Sequence, residues 1–149
     1  MPRAKLMRMM DNLPIIKGFR PIWMRANYRQ AVIMNLEEYE ALRLIDYEKQ
    51  IHEQAAANMN ISRPTFTRIY EQARYKLSTA LVEGRSLLIE GGNVLLQGEH
   101  WYCENCYHKF STPTEQKPSE IQCPKCNSTQ LLDLSECFMS GCNRCRRCR

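Results

Sequence analysis

The chain has 149 residues, 44% of them hydrophobic, which is enough for one domain of ordinary size or for two small ones. No run approaches the ~18 apolar residues that a membrane-spanning helix needs, and the basic N-terminus lacks the apolar stretch of a secretory signal. We therefore expect a cytoplasmic protein that does not bind a membrane. The net charge of +5 permits an anionic partner but does not bear on the fold.

The charge is unevenly distributed along the chain. Residues 1–34 hold seven Lys or Arg against one Asp, whereas residues 35–92 hold seven basic and nine acidic side chains. Pro2, Pro14 and Pro21 interrupt residues 1–34, which predicts a basic arm with short extended pieces. We expect this arm to contact phosphates.

Three helices are predicted after the arm. Asn35 and Glu38 have the spacing of a capping box, so the first helix should run from Leu36 to about Glu48. A second, short helix ends near Asn60, and a third begins after Ser62, tolerates Pro64 in its first turn and ends at Gly84. The residues expected to face the core are Leu36, Tyr39, Leu42 and Ile45 in the first helix, Ile51, Ala55, Ala56 and Met59 in the second, and Phe66, Ile69, Tyr70, Ala73, Leu77, Ala80 and Leu81 in the third.

The second and third predicted helices have the features of a DNA-binding helix-turn-helix. That motif needs a small residue where the helix backbones meet and a residue tolerant of positive φ in the turn. Ala56 and Asn60 meet these needs, and Arg63 and Arg68 would then reach guanines from the outward face of the third helix. The predicted DNA-binding residues are Ser62, Arg63, Thr65, Thr67, Arg68 and, at phosphates, Arg74.

The alternative is a three-helix bundle whose exposed face carries arginines but does not bind DNA. The net negative charge of residues 35–92 favours it, whereas the turn chemistry and the hydrogen-bonding side chains from Ser62 to Arg68 oppose it. Beyond the third helix, the apolar runs 86–90 and 93–97 flank Gly91 and Gly92, which predicts a trailing β-hairpin.

Residues 1–92 resemble an uncharacterised bacterial and archaeal family of predicted DNA-binding proteins whose helix-turn-helix is similar to region 4 of sigma factors. The resemblance implies DNA binding but does not identify a regulated gene. Members often carry cysteines in the first dozen residues, where this chain has Met7, Met9, Met10 and Asp11. The matching segments are MPR at 1–3, FRP at 19–21, LEEYEALRLID at 36–46, QAA at 54–56, SRPTFTR at 62–68, ARYK at 73–76, ALVEG at 80–84 and IEGG at 89–92.

Residues 99–134 carry two C-x2-C pairs, Cys103 with Cys106 and Cys123 with Cys126, separated by sixteen residues. This spacing is typical of a zinc ribbon, in which two knuckles hold one tetrahedral ion. Four thiolates close the coordination sphere, which argues against catalytic zinc. His100 and His108 are each interpreted as exposed residues that do not bind the metal.

Residues 135–149 form a tail rich in Cys and Arg. Its cysteines, Cys137, Cys142, Cys145 and Cys148, match parts of two iron-sulfur patterns but complete neither. A second zinc site, a redox or iron-sulfur sensor, and a disordered basic end all remain open, in that order of preference.

The sequence therefore predicts an α+β protein of two small domains. These are a mainly α helix-turn-helix bundle over 35–92, preceded by the arm 1–34, and a small β zinc ribbon over 99–134. We expect a sequence-specific transcriptional regulator that binds duplex DNA, forms a homodimer and is not an enzyme. The alternatives are a module that docks on RNA polymerase and an RNA-binding protein.

Overall fold

The computed structural model describes residues 6–23 and 30–139, which divide into two compact units. Unit 1 comprises residues 6–10, 16–23 and 30–95, and unit 2 comprises residues 11–15 and 96–139. The boundary after residue 95 lies slightly before the predicted one. The described chain is mixed α/β, and small sheets occur in both units, so unit 1 is less purely helical than expected.

The elements of unit 1 alternate between short strands and helices. Strand β5, the last of them, ends one residue beyond the unit boundary. In chain order they are β1 (Arg8–Met10), β2 (Gly18–Phe19), β3 (Val32–Met34), α1 (Leu36–Leu42), a π-helical turn (Arg43–Tyr47), α2 (His52–Asn58), α3 (Arg63–Glu83), β4 (Leu87–Ile89) and β5 (Val94–Leu96).

The expected trailing hairpin does not form. Strand β4 pairs antiparallel with β2 and parallel with β3, so neither edge of β4 is free to pair with β5. Strand β5 pairs with β1 instead. The Gly91 carbonyl accepts from Leu36 N at 3.0 Å and a Glu37 carboxylate oxygen accepts from Asn93 N at 2.8 Å, which holds the segment between β4 and β5 against the start of α1. The short extended pieces predicted in residues 1–34 are present as the strands β1, β2 and β3 of unit 1.

Helix α1 begins with the predicted capping box. Asn35 Oδ1 accepts from Glu38 N, and Glu38 Oε2 accepts from Asn35 N, both at 3.0 Å. The helix passes into the π-helical turn and ends at Tyr47, one residue before the predicted end. Leu36, Ala41 and Leu44 are its buried apolar residues, whereas the predicted Tyr39, Leu42 and Ile45 are only partly buried.

Helices α2 and α3 meet through a tight turn. Asn60 adopts φ 54°, as predicted, and Ile61 N donates to the Ala56 carbonyl at 3.0 Å. Ser62 caps α3 by accepting from Thr65 N at 3.4 Å, and the left-handed Gly84 ends it. Three core predictions are wrong. Ile51 precedes α2 as its exposed N-cap, and Leu77 and Leu81 are exposed because Ala73 and Ala80 form the side of α3 that packs on β3 and β4.

Unit 2 is built on an antiparallel sheet with the strand order β7-β6-β8. The β6 residue Trp101 is buried, and its indole N–H donates to Thr112 Oγ1 at 3.0 Å. The elements are β6 (Glu99–Cys103), β7 (Lys109–Thr112), a 3₁₀ turn (Pro118–Glu120), β8 (Leu131–Asp133) and α4 (Leu134–Met139), which packs on β6.

Replacing Phe66 by Ala should destabilise unit 1 strongly, because its ring is fully buried between α1, α2 and α3 and would leave a cavity. We expect a loss of about 3–5 kcal/mol in the free energy of unfolding measured by denaturant titration. The matched control is Tyr47→Ala, at an exposed ring, where the loss should stay within roughly 0.5 kcal/mol. Equal losses for the two variants would contradict this core assignment.

Candidate metal centre and nucleic-acid interface

The four cysteines predicted to bind a metal converge in unit 2. Their sulfur atoms all lie within 4.8 Å of one another, with Cys103 Sγ 3.6 Å from Cys126 Sγ and Cys106 Sγ 3.5 Å from Cys123 Sγ. A tetrahedral ion with Zn–S bonds of about 2.3 Å requires sulfur separations of about 3.8 Å. The cluster can therefore hold one metal ion.

The two C-x2-C segments have the same backbone structure. Tyr107 N donates to the Cys103 carbonyl at 2.9 Å, and Asn127 N donates to the Cys123 carbonyl at 2.8 Å. Tyr107 and Asn127, each directly after the second cysteine of its pair, adopt φ of 60° and 57°. Two equivalent turns thus present two sulfur atoms each to a common centre.

Hydrogen bonds and burial act in opposite directions on the thiols. The backbone N–H of Ser128 donates to the Cys126 sulfur and lowers the pKa of that thiol to about 6, with further help from the Asn105 amide. Burial raises the pKa of Cys106 to about 12. Ionising the whole set of thiols requires a cation to offset the mutual repulsion of the thiolates.

Two histidines of unit 2 differ from their predicted exposure. His100 is buried on β6, and His108 is partly buried with its ring stacked on Phe110 at 6.0 Å between centroids. Both histidines lie outside the cysteine cluster, as predicted.

Of the tail cysteines, only Cys137 falls within the described residues. It is buried on α4. Cys142, Cys145 and Cys148 lie outside the described residues, so a second metal site or iron-sulfur cluster remains a prediction.

The hydroxyl side chains predicted to bind DNA lie at the start of α3, partly engaged within the protein. Ser62 Oγ and Thr65 Oγ1 are 2.8 Å apart, and Thr67 Oγ1 is 3.0 Å from Nδ1 of His52 on α2. Ser62 is exposed, whereas Thr65 and Thr67 are partly buried. Ser62 therefore has the most open position of the three hydroxyls.

The predicted arginines are all exposed on α3. The Arg63 side chain pairs with Glu53 of α2 at 3.1 Å, and both side chains are more than half exposed, so the contribution of this pair to stability is small. The Arg74 guanidinium lies over the Tyr70 ring at 5.6 Å. Sequence reasoning did not identify His52 and Glu53 as neighbours of the predicted DNA-binding residues, because nothing in their spacing marks a contact between helices.

Several acidic side chains of unit 1 are turned inward, which the net charge of residues 35–92 does not reveal. Glu37, Glu38 and Glu40 are buried. Lys76 donates to Glu38 at 2.7 Å, and Arg43 donates to both carboxylate oxygens of Glu40 at 2.8 Å. Three of the nine negative charges are therefore withdrawn from the surface of the unit.

In the part of the chain that the structure describes, no helix is both long enough and apolar enough to cross a membrane.

The two units define a mixed α/β protein with a four-cysteine cluster able to hold a metal ion. A family model described as "Protein of unknown function DUF134" matches residues 1–97. The chain is 40% identical to a UPF0251 protein of Chloroherpeton thalassium over 149 residues, which cover 100% of this chain and 97% of that protein. It is 37% identical to a UPF0251 protein of Moorella thermoacetica over 147 residues, covering 99% and 94%.

The chain therefore belongs to this family, which confirms that the resemblance found in the sequence is to an uncharacterised family. No solved structure matches the chain.

Replacing Cys123 by Ser should abolish metal retention, because three sulfurs and a hydroxyl no longer form a closed thiolate site. We expect the wild-type chain, purified anaerobically, to retain metal at this cluster. When a strong chelator is added, the near-ultraviolet circular dichroism of the buried Trp101 should be lost. The control is Ser111→Ala, because Ser111 is an exposed residue of β7 in the same unit and lies outside the cluster. A Cys123→Ser chain with undiminished metal content would contradict the assignment.

Proposed function

We propose that this protein is a sequence-specific DNA-binding regulator of transcription, in which α2 and α3 form a helix-turn-helix and unit 2 is a zinc ribbon. The observation that carries the proposal is the start of α3. There Ser62, Arg63 and Arg68 are exposed beside a left-handed Asn60 turn that fixes α3 against α2. A recognition helix uses its N-terminal residues in this way to reach base edges in the major groove.

The exposed charges of unit 1 support the proposal. The alternative of a plain bundle drew on the excess of acidic over basic residues, but Glu37, Glu38 and Glu40 are buried. Lys76 and Arg43 are withdrawn with them as their partners, so the support comes from α3 itself, where Arg63, Arg68 and Arg74 stay exposed to a DNA phosphate.

The Arg63–Glu53 pair is compatible with this role. Because an exposed ion pair is weak, little free energy is needed to break the Arg63–Glu53 contact. The Arg63 guanidinium can then bind a guanine or a phosphate. A bidentate contact from Arg63 or Arg68 to guanine would then discriminate against other bases.

Zinc is the metal we propose for the cysteine cluster. Four thiolates at tetrahedral separations suit zinc. Two equivalent C-x2-C turns on an antiparallel sheet are the architecture of a zinc ribbon. The ribbon is too small to have much of a core, so the ion would supply most of its folding free energy.

The proposal is tested by Arg63→Ala and Arg68→Ala in a selection of random duplexes. Loss of a bidentate contact should relax the preference at one or two base positions by roughly 5- to 100-fold, equivalent to about 1–3 kcal/mol. Lys49→Asn is the matched control, because it removes one exposed positive charge and asparagine tolerates the left-handed backbone of Lys49.

The Lys49→Asn variant should weaken binding to all duplex sequences equally, or leave binding unchanged. A selection in which both arginine variants keep the wild-type preference would rule out α3 as the recognition helix. Competition with structured RNA that displaces the duplex would favour the RNA-binding alternative, and capture of RNA polymerase without retention of DNA would favour the docking module.

A further inference from the structure

Two consecutive residues at the start of α2 contact α3. His52 Nδ1 lies 3.0 Å from Thr67 Oγ1, and Glu53 Oε1 lies 3.1 Å from Arg63 Nε. Arg63 and Thr67 are four residues apart, so they share one face of α3. The first turn of α2 therefore contacts two side chains on the part of α3 that we propose reads DNA.

His52 fixes the place of its neighbour Glu53 relative to α3. Besides the contact with Thr67, the His52 ring meets the rings of Phe66 and Tyr70 edge-on, with centroids 5.4 and 5.3 Å apart. Phe66 and Tyr70 are both buried. Because the residue before it is packed on α3 in this way, the Glu53 backbone has a defined position, and its carboxylate is presented to α3 from a packed part of unit 1.

The ion pair with Glu53 uses only the Nε edge of the Arg63 guanidinium. Among the residues that the structure describes, the Arg63 side chain has no other ion pair or hydrogen bond. Guanine presents two acceptors, O6 and N7, and the terminal nitrogens Nη1 and Nη2 carry the donors for both. Guanine can therefore be bound while the pair stays intact, even though the pair is weak enough to break.

We propose that Glu53 is a positioning residue that holds the Nε edge of Arg63, so that Nη1 and Nη2 bind O6 and N7 of a guanine in the DNA site. This proposal rests on the proposed function and adds a residue of α2 that determines its specificity. A long exposed arginine loses rotational freedom when it binds a base. A carboxylate that already restricts the guanidinium reduces that loss for the one orientation that suits guanine.

The negative charge of Glu53 gives this role a distinctive signature. The Glu53 side chain is 54% exposed, so its carboxylate repels the phosphates of any duplex that Arg63 approaches. Specificity is a difference between affinities, and it rises when a residue weakens binding to all sequences but favours one base contact. Removing the charge should therefore strengthen non-specific binding and weaken base discrimination. An acid that only repelled DNA would produce the first effect without the second.

The test is Glu53→Gln in the full, zinc-loaded chain, measured by selection of random duplexes. The preference for guanine at the position that Arg63→Ala relaxes should fall roughly 3- to 10-fold, while affinity for non-specific duplex at low salt should rise roughly 2- to 5-fold. The matched control is Glu71→Gln, because Glu71 is an exposed acid further along α3. It should leave every base preference unchanged, whatever its effect on non-specific affinity.

A double variant separates positioning from a structural role. In the Arg63→Ala chain, adding Glu53→Gln should change no base preference further, because the side chain through which Glu53 acts is gone. The unfolding midpoint of Glu53→Gln should match that of the wild type, because the pair is exposed and contributes little to stability.

The outcomes distinguish this proposal from the proposed function. If Arg63→Ala relaxes a guanine position that Glu53→Gln leaves unchanged, the role of Glu53 is overturned and the recognition helix stands. If Glu53→Gln weakens binding to all duplexes equally, or acts equally in the Arg63→Ala chain, its role is structural and the proposal is overturned. If Arg63→Ala keeps the wild-type preference, the proposal fails, whereas α3 remains the recognition helix as long as Arg68→Ala relaxes a position.

Discussion

Unit 1 is organised by two buried carboxylates of α1, Glu37 and Glu38, each of which has a partner in a distant part of the chain. Glu38 caps its own helix through Asn35 and also accepts from Lys76 of α3. Glu37 accepts from Asn93 N, beyond β4. Leaving a buried acceptor without its hydrogen-bond partner typically costs about 1–3 kcal/mol, and more for a charged group, so these contacts fix where α3 and the segment after β4 lie relative to α1. The position of α3 in turn decides which of its side chains reach solvent.

The sequence predicted the helices of unit 1 well and its strands poorly. Caps and turns are local, so Asn35, Asn60, Ser62 and Gly84 could be assigned from neighbouring residues alone. The pairing of β4 with β2 and β3 depends on contacts far apart in the chain, and a two-glycine segment between apolar runs favours a hairpin unless something else holds it. Here hydrogen bonds with Glu37 and Leu36 of α1 hold the two-glycine segment in place. No local sequence pattern indicates these hydrogen bonds.

The four-cysteine cluster was predictable for the opposite reason. Each C-x2-C turn is a local structure, and only one long-range fact, the meeting of two such turns, had to be added. The burial of His100 was not predictable, since it follows from α4 packing on β6. Among the predicted DNA-binding residues, the exposure of the arginines on α3 could be predicted from the sequence, whereas the partial burial of Thr65 and Thr67 could not. The contacts of Arg63 and Thr67 with α2 were not predictable either.

The N-terminal end of α3 is the surface that we propose reads DNA. The most direct measurement is the mapping of backbone amide resonances of the metal-loaded protein during titration with a duplex obtained by selection. We expect the largest shifts to fall on residues 62–68 and the start of α2, with smaller shifts in unit 2. Shifts confined to unit 2, or no shifts with any duplex, would contradict this proposal.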